Sequence, residues 1–155
     1  MSAVEGAMNK ADHGVFGHFH PLIAKWFDEA VGRPTDLQER AWPSIALGEH
    51  VLITAPTGSG KTLAAFLCAV NQLITGELPL GQTSVLYVSP LKALNNDVRR
   101  NLLRPLAELR KIFARAGELF PDIEVATRSG DTPQSERRRM LRHPPEILPG
   151  KLKRR

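Results

Sequence analysis

Apolar residues first recur at helical spacing at Leu22, Ile23, Trp26, Phe27 and Ala30, with Pro21 placed to open a helix and Gly32 to end it. A short amphipathic helix is predicted there. Residues 1 to about 18 mix Gly, His, Asn and small side chains without periodicity, so a flexible N-terminal tail is expected over 1–18. Thr35 opens a second helical pattern with Leu37, Ala41, Ile45 and Leu47 on its apolar side and Gly48 as a stop, and Pro43 predicts a kink or break near Trp42.

The period then changes. Val51-Leu52-Ile53-Thr54-Ala55 is a short β-branched and apolar run that passes through a Gly-rich turn into the helix formers Leu63-Ala64-Ala65-Phe66-Leu67, which predicts strand, loop and helix. Ser84-Val85-Leu86-Tyr87-Val88 lacks polar alternation, as a strand covered on both faces does. A long helical stretch runs from Leu91 to about Ala116, and Pro105 marks a junction within it. Ile123 to Thr127 reads as a third strand, and Thr132-Pro133 as the cap of a helix through Arg142. Alternating strands and helices predict an α/β fold, a mostly parallel sheet with flanking helices.

At 155 residues, 42% apolar and 24% charged, the chain suits one ordinary domain. Its longest apolar run, Leu63 to Val70, is too short to cross a bilayer, and the start Met1-Ser2-Ala3-Val4-Glu5-Gly6 lacks the pattern of a secretion signal. Cys68, the single cysteine, forms no internal disulfide and fits a reducing cytoplasm, where a small buried apolar role is expected of it. The net charge of +5 is unevenly spread: residues 137–155 hold eight Lys/Arg against Glu146 alone, while the remainder carries 13 basic and 15 acidic groups. The basicity is local. His13, His18 and His20 have no Cys or carboxylate cluster beside them and read as solvated loop histidines.

Ala55-Pro56-Thr57-Gly58-Ser59-Gly60-Lys61-Thr62 matches the phosphate-loop pattern, with Ala55 where that pattern writes Gly. Without Cβ atoms at Gly58 and Gly60 the backbone folds back and aims N–H groups at phosphate oxygens, and the helix that follows presents its positive end to the same anion. Lys61 supplies a mobile cation for the β and γ phosphates, and the Thr62 hydroxyl suits Mg²⁺. A nucleoside triphosphate with Mg²⁺ is the expected ligand, with Thr57, Gly58, Ser59, Gly60, Lys61 and Thr62 lining the site and Lys61 and Thr62 the candidate catalytic residues; the loop alone leaves open which chemistry it feeds.

Flanking segments narrow the family. Gly32-Arg33-Pro34-Thr35-Asp36-Leu37-Gln38, followed by Ala41-Trp42-Pro43, resembles the adenine-reading Q motif of superfamily 2 helicases. Tyr87-Val88-Ser89-Pro90-Leu91-Lys92-Ala93-Leu94-Asn95-Asn96-Asp97 resembles motif Ia, and Arg128-Ser129-Gly130-Asp131-Thr132-Pro133 through Arg137 the next strand-end loop of the same motor domain. Together with His143-Pro144-Pro145-Glu146-Ile147-Leu148 these are similar to the large helicase-related (Lhr) family over roughly residues 19–148. The resemblance implies an incomplete RecA-like P-loop NTPase domain from an ATP-dependent DNA helicase with a part in DNA repair. It implies that Gln38 reads adenine, though Thr35-Asp36-Leu37-Gln38 equally fits a capping box with the amide turned back to the helix start. Phe27 or Trp26 would stack on the base or sit in the core. Ser89, Lys92, Asn95 (or Asn96), Gly130, Asp131 and Thr132 are the residues it places on a single strand of DNA or other nucleic acid, and Arg137-Arg138-Arg139 either tracks nucleic acid or forms an exposed basic face.

Phosphoryl transfer to water needs a carboxylate for Mg²⁺ and a residue that positions the water, which helicases supply as an Asp-Glu pair ending an apolar strand. No such strand is legible here. Beyond Leu148 the family would continue toward that pair, whereas this chain reads Pro149-Gly150-Lys151-Leu152-Lys153-Arg154-Arg155. The expected organisation is therefore a tail over 1–18, a partial ATP-binding domain over 19–148 and a basic tail over 149–155.

Overall fold

Helices form where the apolar spacing predicts them. The computed structural model describes residues 14–89 and 94–151, with α1 at Pro21–Ala30, α2 at Asp36–Ala46 and α3 at Lys61–Thr75. His20 caps α1, its Nδ1 accepting the Leu22 N–H at 3.2 Å, and Gly32 at φ +97° turns the chain away with its N–H on the Phe27 carbonyl. Contrary to expectation, α2 runs through Pro43 without a break. The ring removes only a bond to the carbonyl of exposed Glu39, while its neighbour Trp42 is fully buried and donates Nε1–H to the Ala64 carbonyl at 3.2 Å.

Residues 1–13 of the expected tail lie outside the described residues, and residues 14–18 are ordered: Gly14–Phe16 form a 3-10 turn and the rings of Phe16 and Phe19 meet Trp42 at 5.6 and 4.9 Å. Asn71 of α3 holds this segment in place. Only 3% exposed, it accepts the His20 N–H at 2.8 Å and donates to the His18 carbonyl at 2.9 Å. Asn71→Leu strands both backbone groups and is expected to lower stability by about 2 kcal/mol. Thermal unfolding checks the loss, and limited proteolysis should cut first ahead of Pro21.

Strands β1 (Val85–Ser89) and β2 (Ile147–Lys151) pair in parallel, Val85 opposite Ile147 and Ser89 opposite Lys151. The expected third strand lies on the other side of β2 as two bridges, Val125 with Ile147 and Arg128 with Gly150. Ile147 N–H meets the Glu124 carbonyl at 3.2 Å and Arg128 N–H the Pro149 carbonyl at 2.7 Å, but Pro149 has no N–H for the carbonyl between them. That gap interrupts the ladder. β2 continues to Lys151, into the segment expected as a basic tail over 149–155, and Pro149 is fully buried.

The strand expected over Val51 to Ala55 does not form. Among the described residues this segment pairs with no strand, and Leu52 is 90% exposed. A β run without a ladder partner has nothing to hold its pleat.

Pro105 marks a junction as expected. Helix α4 (Leu94–Val98) passes through a wide turn, Arg99–Leu103, into α5 (Arg104–Ala116), with the Arg104 N–H reaching back five residues to the Arg99 carbonyl. Val98, Leu102 and Leu106 are buried at four-residue spacing, which drifts by about 40° per step on a regular α-helix. The wide turn absorbs that drift and keeps the stripe on the core. Cys68 lies in the same core, where burial pushes its thiol up to about 12 and leaves it an apolar filler. No helix among the described residues is long and apolar enough to cross a membrane.

Candidate nucleotide and nucleic-acid site

The loop from Ala55 to Gly60 folds back as its glycines predict. Gly58 and Gly60 hold φ of +85° and +86°, the Ser59 N–H turns to the Pro56 carbonyl at 3.4 Å, and α3 starts at Lys61 with the Ala64 N–H on the Gly60 carbonyl at 2.9 Å. Lys61 and Thr62 thus occupy the first turn of a 15-residue helix, where its positive end lies. Lys61 Nζ folds over the loop and donates to the carbonyls of Ala55 and Pro56 at 2.5 and 2.6 Å, with Ser59 Oγ at 3.4 Å. Thr57 is exposed and Thr62 half-buried.

Helix α2 and its cap Thr35 hold this loop at two points and the start of α3 at a third, all on one face. Thr35 Oγ1–H donates to the Ser59 carbonyl at 3.3 Å, Gln38 Nε2 to the Gly60 carbonyl at 3.5 Å, and Trp42 to Ala64. Positions 35, 38 and 42 follow the i, i+3, i+7 spacing of a helix face. Gln38 is 2% exposed, and its Oε1 accepts the Thr35 N–H at 2.9 Å, so the capping box forms in full. Trp26 and Phe27 are core residues, and Trp26 Nε1–H donates to Glu108 at 2.8 Å. Trp42 was no sequence candidate, although its spacing from Thr35 carried the signal.

The nucleic-acid candidates divide. Ser89 is buried at the end of β1, Lys92 lies outside the described residues, and so does the side chain of Asn95. Gly130, Asp131 and Thr132 form a turn ahead of α6 (Gln134–Arg142). Thr132 does not cap that helix as expected. Its hydroxyl instead accepts the Ser129 N–H at 2.8 Å, and Pro133 takes the cap position without a side-chain bond. Parallel pairing puts Ser89 and this turn at the C-terminal ends of segments flanking β2, the edge where α/β sheets carry ligands. No three His, Cys, Asp or Glu side chains gather among the described residues, and His20 Nε2 pairs with Glu118 at 3.2 Å.

A glycine loop closed over a helix start, in a chain with a parallel α/β sheet, is the arrangement of the phosphate-loop class. Residues 35–154 match the DEAD/DEAH box helicase family, and the chain belongs to it. Within that family its relatives include Lhr helicases. It is 49% identical over 133 residues to the "Lhr helicase/ probable uracil glycosylase" of Mycolicibacterium smegmatis, covering 85% of this chain and 9% of that protein. With the "ATP-dependent helicase Lhr-Core" of Sulfolobus acidocaldarius it shares 44% over 145 residues, covering 91% of this chain and 16% of the relative. The solved structure of Mycobacterium smegmatis helicase Lhr bound to ssDNA and AMP-PNP superposes with a TM-score of 0.79 at 47% identity, over 88% of this chain and 17% of that one. The RecA-like α/β fold expected from the resemblance is the fold of these helicases. The chain spans less than a fifth of the length of each of these relatives.

Proposed function

We propose that this chain is the ATP-binding segment of an Lhr-type DNA helicase, holding the triphosphate on Gly58, Ser59, Gly60, Lys61 and Thr62 and a single strand on the loops after β1 and before α6. The observation that carries the reading is the left-handed pair Gly58 and Gly60 leading into a helix whose first residue is Lys61. The solved relative with AMP-PNP and ssDNA supports both ligands. Thr62 offers one hydroxyl oxygen to Mg²⁺; the hard cation would take its other oxygens from phosphate and water. Gln38 belongs to the site through its hold on Gly60, and an adenine contact additionally requires its buried amide to leave the capping box.

The parent protein in this reading is an ATP-driven translocase that acts in DNA repair, inside the cell. Among the described residues neither strand ends in an Asp-Glu pair, which favours binding without hydrolysis by this segment alone. Titration with a fluorescent ATP analogue tests the site. Lys61→Ala is expected to weaken binding about tenfold, since it removes one charge-assisted contact of about 1.5 kcal/mol. Steady-state ATPase assays with single-stranded DNA should show no turnover above background; turnover abolished by Lys61→Ala would show that the segment supplies its own carboxylates.

A further inference from the structure

Arg137 lies one turn into α6, and helix side chains lean toward their own N-terminus, so its guanidinium reaches back over the preceding loop. There it donates to three carbonyls: Nη2–H to Gly130 at 2.7 Å and to Ser129 at 3.4 Å, and Nε–H to Thr132 at 2.8 Å. The Thr132 hydroxyl closes the loop from within on the Ser129 N–H. With the carbonyls gathered on one side, the N–H groups of exposed Gly130 and Asp131 have no partner among the described residues. Successive outward N–H groups are what a phosphate oxygen accepts from. The three consecutive arginines differ in use: Arg139 pairs with Glu124, exposed Arg138 lines a shallow hollow beside Thr132 and Gln134 that Arg137 also borders, and Arg137 is engaged by the loop itself.

We propose that Arg137 is a positioning residue, which shapes the Gly130–Thr132 loop to receive a phosphate of the strand without touching the strand itself. The role rests on the reading of that loop as a strand contact. Arginine suits it because a planar fork with several N–H groups spans three carbonyls, which a lysine ammonium on a flexible stem does not.

The test uses the whole 155-residue chain, with hydrogen exchange of residues 129–132 and anisotropy titrations of a labelled oligothymidylate over a salt series. Arg137→Ala and Arg137→Lys are both expected to keep the melting temperature, speed exchange in the loop, and weaken oligonucleotide binding about tenfold with the wild-type salt slope. A slope reduced by about 0.7, the value of one single-strand phosphate contact, together with rescue by Arg137→Lys, would overturn the proposal by making Arg137 a direct contact. Unchanged exchange in both variants would also overturn it. Asp131→Lys tests the loop reading separately. A strand at the loop binds this variant more tightly, whereas an unchanged affinity, or no binding by the wild-type chain, removes the loop from the interface and ends the proposal even where exchange has responded to Arg137.

Discussion

Gly60→Ala is expected to weaken binding of a fluorescent ATP analogue by about a hundredfold. Two costs combine at this position. The backbone sits at φ +86°, where a Cβ costs about 1–2 kcal/mol, and that Cβ would stand 2.7 Å from Gln38 Nε2 and 3.3 Å from its Cδ. The Gln38 amide cannot retreat easily, because its side chain is buried and Oε1 is engaged in the capping box. About 3 kcal/mol in total corresponds to the hundredfold loss. Gly58→Ala meets nothing within 4 Å, so it carries only the backbone cost and should lose about tenfold. Adding Gln38→Ala to Gly60→Ala should recover only part of the loss, since the φ cost remains. Undiminished binding by Gly60→Ala would show that the triphosphate sits elsewhere.

Glu146→Ala is expected to lower stability by about 3 kcal/mol, or roughly 10 °C in melting temperature. This carboxylate is 5% exposed and joins three parts of the chain: Oε1 accepts the Gly81 N–H at 2.8 Å and Oε2 the Glu124 N–H at 2.7 Å, while its own residue leads into β2. Burial pushes its pKa up, but the N–H groups of Glu124, Gly81 and Glu146 itself prevail and hold it below the usual 4.5. A carboxyl with a depressed folded pKa contributes its full stability above the unfolded value. That contribution drains away as pH falls below about 4.5 and through the folded pKa. Glu146→Gln keeps one acceptor and removes the titration, so melting temperatures measured from pH 6 to 3 should fall less steeply for this variant than for the wild type. Parallel curves would exclude Glu146 as a source of acid lability.

The residues that carry the fold from sequence are those whose physics is local. Pro21, Gly32 and Thr35 mark helix ends because proline, glycine and hydroxyl side chains act within a few residues of themselves, and each ends or opens a helix as read. Gly58, Gly60 and Lys61 were legible for the same reason. What escaped depends on partners distant in the chain. Val51 to Ala55 has the composition of a strand and no ladder; residues 14–18 have no periodicity, yet Asn71 pins them from more than 50 residues away. The break expected near Trp42 does not occur, because the burial of Trp42 and its bond to Ala64 outweigh one missing hydrogen bond. Gln38 was left between a capping box and an adenine contact, and its hold on Gly60, 22 residues ahead, was not visible from spacing. Arg137 read as one of three equal charges, and only the folded loop distinguishes it.

Lys61 already rests on the carbonyls of Ala55 and Pro56. Entry of an anion is therefore an exchange, in which those two oxygens give up the ammonium that the newcomer gains. A small monoanion reaches the ammonium and little else. A polyphosphate engages the ammonium and the surrounding amides at once, so this loop discriminates among ligands by how many oxygens they present together.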